Sequence, residues 1–347
     1  MRTAPRRSVH SLTVMVALLC LILTGSGQER LPGEAHQALL DERVRLQSAL
    51  APRVWPGWTD SAAPVLLKTA DRDILIGHPA PPAEFIAHVN APGDTVRIRP
   101  NSDTLAYRAA YPINGVTTIV MTEPGPEDDP ARWVLQAVHE GFHVVQSRWA
   151  ERGERPGNPF VGPYAGTHEL SFPFPHDDPG IRALYRLEGE ILFERLRNDS
   201  LSQGEARVTA RLAERLTTVW RQVLPDSLMR LYKRHMEWKE GVARYVEREV
   251  ARLAASPEVY TPGPAFRRAY PKADYAATWS AAYAGMLNPV RFLGEGVQGR
   301  VTFYYAGMAK AYLLDRLGGA WKPAYPRHFL DTLIRDAMSP AKGAVSP

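Results

Sequence analysis

Two spacings of apolar residues divide this 347-residue chain. Between residues 64 and 122 they come in short runs bounded by Pro, Gly and Asp. PVLLKT (64–69), DILIGH (73–78), DTVRIRP (94–100) and GVTTIVMT (115–122) predict four strands of a small sheet. After Pro130 they recur three and four positions apart. That period predicts helices over 130–151, 179–197, 203–223, 226–255 and 301–317, and a short one near 325–337. Before the strands, residues 30–52 read as one amphipathic helix closed by Pro52. Strands followed by helices, without βαβ alternation, predict an α+β chain. Residues 153–178 and 256–299, rich in Pro, Gly and aromatics, fit neither period. Stretches that long are expected to be functional rims or lids, or else disordered.

The first 27 residues follow a different logic. Arg2, Arg6 and Arg7 precede an unbroken apolar run over 12–23, and the small residues of 24–27 follow it. This is the layout of a secretory signal peptide cleaved before Gln28. Twelve helical residues span about 18 Å, short of a ~30 Å hydrocarbon core. The expectation is therefore a secreted or periplasmic protein without stable membrane insertion, unless the segment stays uncleaved as an anchor. Residues 28–347 then form a single domain, with a helix-plus-sheet part over 28–122 and a helical part over 123–347.

Composition narrows the chemistry. The hydrophobic fraction of 45% and charged fraction of 23% are those of an ordinary folded protein. Of the net charge of +5, three arginines belong to the signal segment, and no clustered basic face suggests nucleic acid. Cys20 is the only cysteine and lies within that segment. Any metal in the mature chain must be held by His, Asp or Glu.

The helix predicted at 130–151 begins at a capping Asp129 followed by Pro130. Val134, Val138, Phe142, Val145 and Trp149 form its core stripe, and a different face carries His139-Glu140-Gly141-Phe142-His143. This is the pattern H-E-x-x-H. The four-residue spacing stacks two imidazoles one turn apart, so that both can bind one Zn²⁺. Glu140 is placed beside them to act as general base on a water activated by the metal. The bland alternative is a satisfied pair of core histidines beside a salt-bridged Glu.

A catalytic zinc site needs a third protein ligand, and no His follows at a suitable spacing. Glu188, in LYRLEGEILFERL, and Glu240, in MEWKEGVARYVE, are the candidates. Acids on long helices are more often solvated or paired with Arg, and Arg186 and Arg244 stand nearby.

Residues 239–245, Lys-Glu-Gly-Val-Ala-Arg-Tyr, resemble the Glu-Gly-x-Ala-x-Tyr element of gluzincin-type HExxH metallopeptidases. The remainder of the chain resembles exported bacterial proteins and adds nothing about substrate. The gluzincin resemblance implies a zincin-like fold, Glu240 as third ligand, and Glu237 or Glu247 as its support. It implies close helix approach at Gly241 and Ala243, and a Tyr or His donating to the oxyanion. Tyr304 and Tyr305 are the candidates for that donor, Tyr305 being the choice, against a default role in packing.

The expectation is an exported peptidase with one Zn²⁺ per chain held by His139, His143 and Glu240. Glu140 and Tyr305 would be catalytic, and the substrate a peptide or protein pairing with strand 115–122. A second expectation is an exported binding or scaffold protein with a structural or vestigial metal site. A hydrolase cutting another kind of bond is a third. His168-Glu169 lacks a second His, since Phe172 stands where it is needed. The group His176, Asp177 and Asp178 is read as a solvated turn or a structural cation site, and His235 as an exposed helix residue.

Overall fold

A computed structural model describes residues 31–339, apart from 59–62, 92–93, 102, 104, 106, 166–168, 197–201, 298 and 319. The signal-like segment 1–27 and His168 lie outside the described residues. Among those described, no helix is long and apolar enough to cross a membrane.

The fold is α+β. Helix α1 (Glu34–Val54) precedes a six-stranded mixed sheet: β1 (Val65–Lys68), β2 (Arg72–Ile76), β3 (Ile86–Ala91), β4 (Asp94–Pro100), β5 (Arg108–Ile113) and β6 (Val116–Thr122). The spatial order is β3-β4-β2-β1-β6-β5; only β1 and β6 run parallel. The mainly helical body follows with α2 (Pro130–Glu151), α3 (Pro179–Leu196), α4 (Gln203–Val223), α5 (Ser227–Met236), α6 (Val242–Ala254), α7 (Pro264–Ala269), α8 (Tyr275–Thr278), α9 (Val301–Leu317) and α10 (Leu330–Met338).

Alternation along the strands explains how the sheet joins the body. Val65, Leu67, Ile119 and Met121 point into the main core with α2, whereas Leu66, Leu75 and Val120 point away into a small cluster with Phe85. The end of β6 hands the chain to α2. There the Asp129 side chain accepts from the Ala131 amide, and the Trp133 indole donates to the Thr122 carbonyl at 2.8 Å. Val134, Val138 and Phe142 are fully buried as their stripe predicts, and Val145 and Trp149 are partly so.

Four expectations change. Strands β3 and β5 carry too few β-branched residues to announce themselves, and β5 includes Pro112, which an edge strand tolerates. Strand 115–122 is not an edge, because β6 pairs with β1 on one side and β5 on the other. Helix α1 runs through Pro52 to Val54. Helix 226–255 is divided by a turn of π-helix at Glu237–Gly241.

The two irregular stretches are largely built into the body. Phe172 and Phe174 are buried, Phe172 stacking on Tyr232 with ring centroids 4.0 Å apart. Residues 256–299 include α7 and α8 and are pinned to α1 by the buried Glu42. Its carboxylate accepts from Tyr260, Tyr275 and the Gly263 amide.

Candidate metal centre

His139 and His143 are one turn apart on α2, and their Nε2 atoms converge on Glu240. Glu240 Oε2 lies 3.7 Å from His139 Nε2 and 3.2 Å from His143 Nε2. One ligand atom from each residue fits within a 4.8 Å cluster, and all three side chains are buried. Two imidazoles and one carboxylate are the donor set of a three-ligand zinc site, so the residues fit that ion. The same distances let ion pairs hold the cluster together.

The π-turn explains how Glu240 reaches α2. In a plain α-helix, residues three apart share a face. Here the wider turn sends Glu237 and Glu240 to different partners. Glu240 meets the histidines, while Glu237 joins Lys233 and Lys310, the latter at 2.8 Å. Glu237 therefore does not support the centre, contrary to one expectation. The turn passes α9 at a glycine contact, since a Cβ on Gly241 would lie 2.4 Å from the Gly307 Cα.

Glu188 is engaged elsewhere. Its carboxylate lies 2.6 Å from Lys310 Nζ and 3.2 Å from Lys233 Nζ. Burial would raise its pKa, but Lys233 and Lys310 hold it down at about 2.

Both histidines are oriented from behind. His139 Nδ1 meets Glu247 Oε2 at 3.0 Å; Glu247 also accepts from Arg244 at 2.8 Å and Tyr283 at 2.8 Å. His143 Nδ1 meets Gln146 Oε1 at 2.7 Å. The Gln146 amide nitrogen donates to the Lys239 carbonyl at 3.0 Å and to the Tyr325 hydroxyl at 2.7 Å. Such bonds at Nδ1 leave Nε2 free to bind a metal. Glu247 was among the expected supports. Gln146 was legible only as a neighbour three positions past His143, and Tyr283 and Tyr325 lie where no motif points.

Charge reinforces the arrangement. Burial opposes ionisation of Glu240, yet His143 and Lys239 hold its pKa well below the usual range. Burial likewise opposes ionisation of Glu247, but Arg244 and His139 hold it at about 2. Burial would lower His139, and its carboxylate partners Glu240 and Glu247 instead hold it near 9. Glu140 is 7% exposed beside these groups, and burial raises its pKa.

The two tyrosines part company. The Tyr304 ring lies parallel to that of His139 with centroids 6.4 Å apart, and its hydroxyl accepts from Arg300 at 2.7 Å. Burial and the nearby Glu240 carboxylate push the Tyr304 hydroxyl up, so it remains a donor. Tyr305 is half-buried against the hydrophobic core.

Two smaller groups named from the sequence stand outside the ligand set. His235 is buried, not exposed, between Phe160 and Trp238. Asp178 accepts from the Ile181 amide at the start of α3, and His176 packs on Phe174 and Phe303. Comparison with protein-family models, curated proteins and solved structures found no match.

Proposed function

We propose that the protein is an exported zinc-dependent metallopeptidase of zincin-like organisation, with His139, His143 and Glu240 as the metal ligands. The observation that carries this reading is the convergence of His139 Nε2, His143 Nε2 and Glu240 Oε2, with both Nδ1 atoms held from behind. Export rests on the sequence pattern of residues 1–27. Three protein ligands leave a position open, as catalytic zinc sites do and four-ligand structural sites do not. A zinc ion bound there supplies Lewis acidity, acidifying water and polarising a carbonyl oxygen.

The chain's own groups then do the following. Glu140 takes a proton from the attacking water on its carboxylate and returns it to the leaving amine nitrogen. Tyr304, in preference to Tyr305, donates its hydroxyl proton in a hydrogen bond to the developing oxyanion, held in place by Arg300. Glu247 and Gln146 keep the two imidazoles in one tautomer and one orientation. An extended substrate would pair with β5, the sheet edge that packs beside α2, taking the role expected of β6.

Glu140→Gln tests the reading. The variant should bind zinc as the wild type does and lose hydrolysis of a peptide library by about 10²–10⁴-fold. Undiminished turnover would overturn the mechanism.

One observation favours a second reading. The ligand set is 3–5% exposed, and its ion pairs hold it together without help. A binding protein with a structural or vestigial site would show the same, and would give zinc binding with no hydrolysis by the wild type.

A further inference from the structure

One side of the proposed metal centre carries charged groups that serve neither as ligand nor as base. Lys239 stands there on the π-turn and Arg300 just before α9. Lys239 Nζ lies 3.6 Å from Glu240 Oε1, the oxygen other than the one that meets the histidines. Arg300 Nη2 donates to the Tyr304 hydroxyl at 2.7 Å. Arg244 lies over the Tyr304 ring, 5.5 Å from its centroid. Water reaches all three cations, whose side chains are 23%, 23% and 27% exposed. The carboxylates of Glu140, Glu240 and Glu247 beside them are buried. The rim that a substrate meets is therefore positive.

One carboxylate already stands on that rim. Glu169, from the irregular stretch over 153–178, places Oε2 2.6 Å from Lys239 Nζ and Oε1 3.8 Å from Arg300 Nη1. The second contact is too long for a hydrogen bond, so Glu169 serves Lys239 better than Arg300. Its backbone is held, because the Tyr232 hydroxyl donates to the Glu169 carbonyl at 2.7 Å. Its side chain is 16% exposed and can turn toward water without moving that backbone. Ion pairs open to water are weak, so a second carboxylate can take its place.

We infer that Lys239 and Arg300 receive a carboxylate of the substrate, in the place that Glu169 holds in its absence. The substrate is then a peptide with an acidic group close to the bond that is cut. That group is an Asp or Glu side chain or the free C-terminus. Closeness follows from position, since Lys239 touches a metal ligand and Arg300 touches the proposed oxyanion donor. An extended chain advances ~3.3 Å per residue, which puts the carboxylate within about two residues of the attacked carbonyl. A basic group is rejected at the same place. The inference rests on the peptidase reading for its peptide and adds the charge that the peptide carries.

The test is calorimetric titration of the full chain carrying Glu140→Gln, loaded with zinc, so that bound peptide is not consumed. The probes are acetyl-tetraalanine amide, the same peptide with a free carboxylate, and amides with Glu or Lys at each position in turn. At least one acidic peptide should bind about tenfold or more tightly than the neutral amide, and its Lys counterpart more weakly. The tightest binder names the source, the free-carboxylate peptide for a C-terminus and a Glu amide for a side chain. Adding Glu169→Gln should tighten the acidic peptide by about tenfold and leave the neutral amide unchanged, because it removes the competing charge. Adding Arg300→Gln should abolish the preference. Acidic peptides that bind no better than the neutral amide, or not at all, would overturn the inference. So would a preference that survives Arg300→Gln, or an acidic-peptide affinity unmoved by Glu169→Gln. The peptidase reading fails differently: acid-selective binding without hydrolysis by the wild type would remove the peptidase and keep the anion site. Hydrolysis without acid preference would do the reverse.

Discussion

Glu247 lies 108 positions after His139 in the chain and meets its Nδ1 at 3.0 Å, with Arg244 and Tyr283 bound to the same carboxylate. The contact ties α6 to α2 directly behind the proposed metal. It fixes which nitrogen of His139 faces Glu240 and strengthens that imidazole as a ligand. Glu247→Gln should therefore weaken zinc binding by about 10–100-fold, as read by competition with a chelator. An unchanged affinity would reduce Glu247 to a structural anchor for Arg244.

Tyr304 and Tyr305 provide an internal control, being adjacent in sequence and different in surroundings. Of the two, Tyr304 has its ring parallel to that of His139, 6.4 Å away, and its hydroxyl on Arg300. Tyr304→Phe should lower kcat by about 10²-fold or more while zinc content stays at the wild-type level. Tyr305→Phe, a change at a half-buried packing position, should alter kcat little. The reverse pattern would restore the assignment to Tyr305.

His235 makes stability depend on pH. Burial, with Lys239 and Arg155 adding to it and Glu240 opposing it, holds its pKa down at about 3. The unfolded chain takes up that proton near pH 6.5, and the folded protein does not until about pH 3. The unfolded state therefore binds more protons throughout this interval. Stability from His235 is complete above pH 6.5 and is lost as pH falls toward 3. His235→Phe keeps a ring between Phe160 and Trp238 and removes the titration. Urea unfolding from pH 7 down to 5 should show a flatter decline for the variant; parallel curves would contradict the assignment.

The parts of the molecule that were legible in sequence are those set by local pattern. Helices over 130–151, 203–223 and 301–317 appear at their expected bounds; the first two start at capping Asp129 and Ser202, and the third is a long apolar run buried on most of its sides. His139 and His143 were legible for the same reason, since a spacing of four fixes their relative position on any α-helix. Glu240 was harder, because its orientation depends on a π-turn and on the backbone contact between Gly241 and Gly307, neither of which has a periodic signature. A regular helix over 226–255 would place Glu237 and Glu240 on one face; of the two supports the resemblance implied, Glu237 or Glu247, it is Glu247 that meets His139, and Glu237 turns to Lys233 and Lys310. Strand β5 was missed because RAAYPI has neither alternation nor β-branched enrichment until its last residue; its pairing with β6 supplies what propensity does not. The buried His235 shows the limit of reading a helix by charge alone. Its neighbours in sequence are basic, but Phe160, from an irregular stretch, covers it.

The decisive measurement is the zinc content of the purified protein beside that of His143→Ala, Glu240→Ala and Glu188→Gln. With His139, His143 and Glu240 as the ligands, about one zinc per chain is expected in the wild type and in Glu188→Gln, and none in the other two. Glu188→Gln disturbs a buried ion quartet and should cost stability, about 3–5 kcal/mol, without touching the ligands. A folded wild type that takes up no zinc, or zinc that persists in Glu240→Ala, would rule out His139, His143 and Glu240 as the zinc ligands.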